Sequence, residues 1–113
     1  MNIKLLKSKI HRAIVKDTCL DYEGSISIDK TLMDAANLIA YEKVHVLDVT
    51  NGNRLETYVI ESKEQGDICI NGAAAHLVDK GDIVIIVSYA SMSIDEAKKF
   101  KPTVVYPNEN NEI

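Results

Sequence analysis

The stretch YEGSIS at residues 22–27 contains one peptide bond, Gly24–Ser25, that two different chemistries could use. A serine hydroxyl beside a glycine carbonyl is either part of a turn opening a strand or a bond made to be broken. Glycine punctuates turns and serine is common beside it, so these six residues alone leave both open. The usual catalytic signatures do not occur: there is no GxSxG, no P-loop and no GxGxxG. The Asp and Glu residues are spread along the chain and read as solvated charge. Cys19 and Cys69 are 50 residues apart, no CxxC occurs, and His11, His45 and His76 are scattered, so nothing has zinc-ligand spacing. Both cysteines sit in apolar, strand-like runs and read as small buried hydrophobes.

The elements that would position such groups are short. Residues 3–15 alternate loosely and predict extended structure; SISI at 25–28 alternates cleanly and predicts a strand. Asp29 can cap a helix over DKTLMDAANLIAYE, where Leu32, Ala35, Ala36 and Ile39 have helical spacing. VHVLDVT and RLETYVI flank Asn51-Gly52, a strong hairpin signal. DICIN (67–71), IVIIV within 81–92, and TVVY (103–106) are further strands. GAAAH (72–76) is a tight helical turn or a site of close backbone packing. Ser93 with Glu96 three residues on makes a capping box for a short helix. The polar tail at 108–113 is expected to be flexible. The pattern is a single mainly β domain over 1–113, α+β with short helices, and a small closed barrel would remove its exposed edges.

Composition narrows the function further. Thirteen Lys and Arg stand against seventeen Asp and Glu, giving net charge −4, which argues against a nucleic-acid platform. Aromatic residues make up 5% with no Trp, which argues against a base-stacking surface. The N-terminus lacks the apolar core of a signal peptide, and the longest apolar run is too short to span a bilayer, so the expected location is cytoplasmic, away from membranes.

Four segments taken together carry more: KIHRAIV (9–15), YEGSISID (22–29), VTNGNRLETYVI (49–60) and INGAAAHLVDKGDIVIIVSYASM (70–92). In this order they resemble the pyruvoyl-dependent aspartate 1-decarboxylase family of pantothenate biosynthesis, over nearly the whole chain. The resemblance implies a double-psi β-barrel assembled as a homotetramer with sites between subunits. It implies that Gly24–Ser25 cuts itself, leaving a β chain (1–24) and an α chain (25–113) whose Ser25 has become a pyruvoyl group. That group would form a Schiff base with L-aspartate and act as the electron sink for decarboxylation to β-alanine, with no PLP and no metal.

The other roles implied follow the matching positions. Tyr58 matches the proton donor, and Thr57 a hydroxyl that contacts substrate and assists cleavage by bonding the Gly24 carbonyl as charge develops. Arg54 and Lys9 match cations for the substrate carboxylates. Asn71, Gly72, Ala73 and Ala74 match the substrate loop, while His11 and Tyr22 lie near the family's site without an assigned step. Read singly, each of these is an ordinary strand, loop or surface residue. Thr57 and Tyr58 are neighbours on a strand, so they serve one site only if the strand is bulged or twisted there, or if two subunits contribute. The unusual backbone that such an attack needs is expected at Gly24, which has no Cβ. The loop at 61–71 looks slightly shorter than is common in the family. A maturation helper protein is a further partner the resemblance admits. The rivals are a non-catalytic interaction barrel and a related enzyme acting on glutamate, one methylene longer, which a tight pocket rejects by only ~1–3 kcal/mol.

Overall fold

In the computed structural model, which describes residues 1–113, the chain opens with a 13-residue strand, β1 (Asn2–Ile14), and continues almost directly into β2 (Asp17–Cys19). After the Gly24 turn come β3 (Ser25–Asp29), α1 (Lys30–Ala36), β4 (Lys43–Asp48) and β5 (Arg54–Ser62). Then follow β6 (Ile68–Asn71), a 3-10 turn (Gly72–His76), β7 (Ile83–Ser93), α2 (Ile94–Ala97) and β8 (Thr103–Val105). The fold is mainly β, as expected.

The strands pair in the order β2-β6-β3-β5-β4-β7-β1-β8. Backbone pairing alone does not close this ladder. The covalent chain joins its two arms instead, because β1 belongs to one end and β2 to the other. At the corner between them, Val15 N–H donates to the Asp82 carbonyl at 2.9 Å and Lys16 N–H to the Ile68 carbonyl at 2.8 Å. Two register shifts, at Leu6/Ser8 and Ile10/Ala13, let β1 bend toward this corner. Ile10, Ala13 and Val15 are thereby buried beside Ile26, Ile28, Val46, Val59, Ile70 and Ile86.

The local signals explain most elements. β4 and β5 pair antiparallel from Lys43↔Tyr58 to Leu47↔Arg54. Their connection is wider than a two-residue turn: Asp48 N–H donates to the Asn53 carbonyl at 2.8 Å, and Gly52 takes φ +82. Asp29 caps α1 by accepting from Thr31 N–H at 2.9 Å, and Ser93 forms the expected capping box with Glu96. Four expectations change. The helix stops at Ala36 because Asn37 turns left-handed at φ 59, so Ile39 lies outside it and is 70% exposed. Cys19 is exposed on the three-residue β2, whereas Cys69 is partly buried. Gly24 lies outside the left-handed region, and a Cβ there would meet nothing within 4 Å. The tail is docked: Asn111 is 1% exposed, accepts from Ile14 N–H and donates to the Ile14 and Gly66 carbonyls, each at 2.8 Å.

Candidate active site

β3 lies between β5, its parallel neighbour, and β6, its antiparallel one. Ile26 and Ile28 face the core, so the alternation of a strand turns Ser25 and Ser27 to the opposite face. In the β3–β6 ladder Ser25 stands opposite Asn71, and Ser27 opposite Cys69. These four polar or thiol side chains therefore form a block on one face.

The block is hydrogen-bonded throughout. Asn71 Nδ2 donates to Ser25 Oγ at 3.1 Å and to Ser27 Oγ at 2.9 Å. Asn71 Oδ1 accepts from Cys69 Sγ at 3.2 Å. Ser25 Oγ donates to the Glu23 carbonyl at 3.0 Å. A serine hydroxyl has one donor and two acceptor positions. Ser25, only 1% exposed, thus has its hydrogen directed and one lone pair engaged, and one lone pair remains.

The tight backbone approach occurs at Gly72. It takes φ +75, and a Cβ there would stand 2.6 Å from Gly24 Cα, 2.8 Å from Gly24 N and 3.2 Å from the Tyr22 carbonyl. Only glycine permits both the angle and the contact. The NGAAA turn therefore packs directly on the segment that leads into Ser25. Ala74 packs against the core and Ala73 is exposed.

Beside Ser25 opens a cavity of about 390 Å³. Tyr22, Glu23, Tyr41, Tyr58 and Glu61 contribute to its wall. Tyr58 reaches it because Ile26 aligns with Val59 in the β3–β5 ladder, which puts Tyr58 and Ile60 on the Ser25 face. The Tyr41 ring lies 6.2 Å from that of Tyr58, and Tyr41 N–H donates to the Val59 carbonyl at 2.7 Å. Two glutamates and no cation line this cavity.

One protomer thus brings together Gly24, Ser25, Tyr58, Asn71 and Gly72. Of these, Ser25 and Tyr58 line the cavity; Thr57, Arg54 and Lys9 do not. β4 and β5 pair without a register break, so Thr57 shares the face of Leu55 and Val59 rather than that of Tyr58. Arg54 is exposed four residues before Tyr58, roughly 13 Å along the strand. Lys9, half-buried, pairs with Val87 and Val104 on the opposite arm of the ladder. Tyr22 lines the Ser25 cavity, whereas His11 lines a separate depression against Tyr106, its ring edge-on at 5.7 Å. Burial, then the Lys9 and Arg12 cations, hold the His11 imidazole below its ordinary pKa. Sequence reasoning missed Tyr41, Ser27 and Cys69, since only cross-strand register puts them at the site.

A buried carboxyl lies away from this cavity. Asp48 Oδ1 accepts from Thr50 N–H at 2.8 Å and Asn51 N–H at 3.2 Å, while its Oδ2 is buried without a partner in the chain. Burial and the adjoining Asp82 carboxyl push Asp48 up to about 6.

A buried, hydrogen-bonded serine at a strand entrance, beside a tyrosine-walled cavity, is the candidate site that this mainly β fold presents. The family model described as aspartate decarboxylase matches residues 1–113. Proteins named aspartate 1-decarboxylase match along their length: that of Campylobacter fetus is 58% identical over 113 residues, covering all of this chain and 98% of the other. That of Campylobacter concisus is 60% identical, covering all of this chain and 97% of its own, and that of Clostridium botulinum (strain Langeland) 59%, covering all and 90%. The chain belongs to the aspartate decarboxylase family, whose fold is the double-psi β-barrel.

Proposed function

We propose that this protein decarboxylates L-aspartate to β-alanine and CO2, a step in making the pantothenate precursor of coenzyme A, after cutting its own Gly24–Ser25 bond. The observation that carries the reading is Ser25: buried, its Oγ held at 3.1 Å by Asn71, at the end of a segment clamped by Gly72. In the first step Ser25 Oγ bonds to the Gly24 carbonyl carbon. The Gly24–Ser25 C–N bond breaks, and the hydroxyl proton passes to the released amine. The amide has become an ester, whose carboxylate is a better leaving group. Loss of the Ser25 Cα proton and rupture of its Cβ–Oγ bond then free the Gly24 carboxylate and leave a dehydroalanine. Water adds to it and ammonia departs, leaving pyruvoyl at residue 25.

The surroundings of Ser25 fit such a group, since a cavity large enough for a small amino acid adjoins it. Pyruvoyl supplies a carbonyl for the substrate amine and a sink for the electrons released with CO2. The chain does the rest. Tyr58 lies in the same cavity and returns a proton to the carbon that lost CO2. Thr57 bonds the Gly24 carbonyl as charge develops during cleavage. Asn71 and the Gly72–Ala74 backbone hold the substrate.

Aspartate carries two carboxylates, and a cavity with Glu23 and Glu61 in its wall and no cation cannot hold it alone. Lys9 and Arg54 are the cations of the reading. Their distance from Ser25 within one protomer supports a homotetramer in which a neighbour delivers them, and Thr57, to the site. The protein acts in the cytoplasm in this reading, and no helix is long and apolar enough to cross a membrane.

Intact mass spectrometry of the denatured protein tests the reading. The expected species are residues 1–24 and 25–113, the latter lighter by one ammonia than a serine-started chain. β-Alanine should form from aspartate and not in the Ser25→Ala protein. A single 12.5 kDa chain that persists on warm incubation, alone and with cell extract, would sink it.

A further inference from the structure

We infer that Cys69 is a positioning residue for self-cleavage: its thiol sets the orientation of the Asn71 amide, and that amide in turn sets Ser25 Oγ. The inference rests on Gly24–Ser25 being the bond that is cut.

An asparagine amide can be placed two ways round, with its oxygen and its NH2 group exchanged. In the orientation present, Nδ2 reaches both serine hydroxyls and Oδ1 faces Cys69. Exchanging the two ends would present an acceptor to Ser25 Oγ. The serine hydrogen would then swing toward Asn71 and leave the Glu23 carbonyl, 3.0 Å away. The hydroxyl proton and the free lone pair would both be redirected at the atom that must attack.

The neighbours decide which orientation holds. Ser25 and Ser27 are hydroxyls that donate or accept with equal ease, so they select neither. Cys69 tips the balance: the present orientation gives its S–H the amide oxygen as acceptor at 3.2 Å, whereas the exchanged one would set Nδ2–H against sulfur, a weak acceptor. The thiol keeps its hydrogen at neutral pH, since burial, with Asp67 and Asp17 nearby, pushes it up to about 11. The geometry is built in: Cys69 and Asn71 are two apart on β6 and so share a face, opposite Ser27 and Ser25.

The test follows the fraction of uncut chain against time by intact mass, in freshly purified wild type and in Cys69→Ser, Cys69→Ala and Cys69→Val. Serine keeps a donor; alanine and valine do not, and valine preserves bulk if alanine weakens the fold. Cys69→Ser should cut within about twofold of wild type, and the donorless variants about 2- to 10-fold more slowly, the usual range for one hydrogen bond. In an Asn71→Ala background, Cys69→Ala should slow cutting no further, because its route runs through the amide. Equal rates in wild type, Cys69→Ala and Cys69→Val would overturn the inference. So would serine failing to rescue, or additive slowing in the Asn71→Ala background. A wild-type protein that never cuts would instead remove the scissile-bond reading, and this inference with it.

Discussion

Replacing Gly72 by alanine should damage the protein far more than the same change at Gly24, although Gly24 flanks the bond proposed to be cut. At Gly72 the backbone has φ +75, which costs an L side chain roughly 1–2 kcal/mol. The new methyl would also stand 2.6 Å from Gly24 Cα and 2.8 Å from Gly24 N, backbone atoms that cannot rotate away. Forced overpacking adds about 1–3 kcal/mol, for a total near 2–5 kcal/mol. At Gly24 no left-handed angle is used and nothing lies within 4 Å of a Cβ. The expected change there is within about 1 kcal/mol, and toward stability if the unfolded chain is stiffened. Urea unfolding at one protein concentration, in a Ser25→Ala background so that every chain stays whole, measures both. In a thermal melt of the same proteins, Gly72→Ala should lower the melting temperature by about 8–20 °C, at roughly 4 °C per kcal/mol for a domain of this size. A Gly72→Ala protein as stable as its parent, or a Gly24→Ala protein that loses more, would refute the reasoning.

Three further outcomes are expected. Tyr58→Phe should leave cutting at 24–25 intact, seen by mass, while β-alanine formation falls about 10²-fold or more, as for loss of a positioned proton donor. Asp48 has a folded-state pKa of about 6 against 3.8 ordinarily, so its protonated form favours the fold; that contribution is full below 3.8 and lost as pH rises through about 6. Asp48→Asn keeps the acceptor for Thr50 and Asn51, so it should melt higher than wild type at pH 8, with the gap closing toward pH 5; parallel melting curves would contradict this. Asn111→Ala strips partners from Ile14 and Gly66, and should cost about 1–3 kcal/mol and expose the tail to limited proteolysis.

Signals carried by neighbouring residues were legible in the sequence. The Asn51-Gly52 hairpin, the Asp29 cap and the Ser93–Glu96 capping box each depend on residues a few positions apart. Features made by distant strands were not. Asn111 reads as disordered polar tail because its partners, Ile14 and Gly66, are 97 and 45 residues away. Cys19 reads as buried because cysteine is so often a small buried hydrophobe, yet it sits between Asp17 and Asp21 on β2, a three-residue strand at the end of the ladder. At the site, motif resemblance pointed to Ser25, Tyr58 and Asn71, which the fold does assemble. It could not show that the close packing expected at GAAAH is against Gly24 and Tyr22, since that depends on how the Gly72 turn meets the segment before β3. Nor could it show which strand face Thr57 occupies, since parity depends on register with β4.

The bend at Val15–Lys16 joins the two arms of the ladder through the covalent chain, and residues 1–24 contain all of that joint. A cut after Gly24 turns this stretch into a separate peptide, held by the thirteen residues of β1 against β7 and by Ile10, Ala13 and Val15 in the core. Folding would then precede cutting in a way that cannot be retraced. The whole chain finds its shape as one molecule, at a rate independent of concentration. A form cut after Gly24, once denatured and diluted, would have to recover it by collision of two molecules, more slowly the further it is diluted.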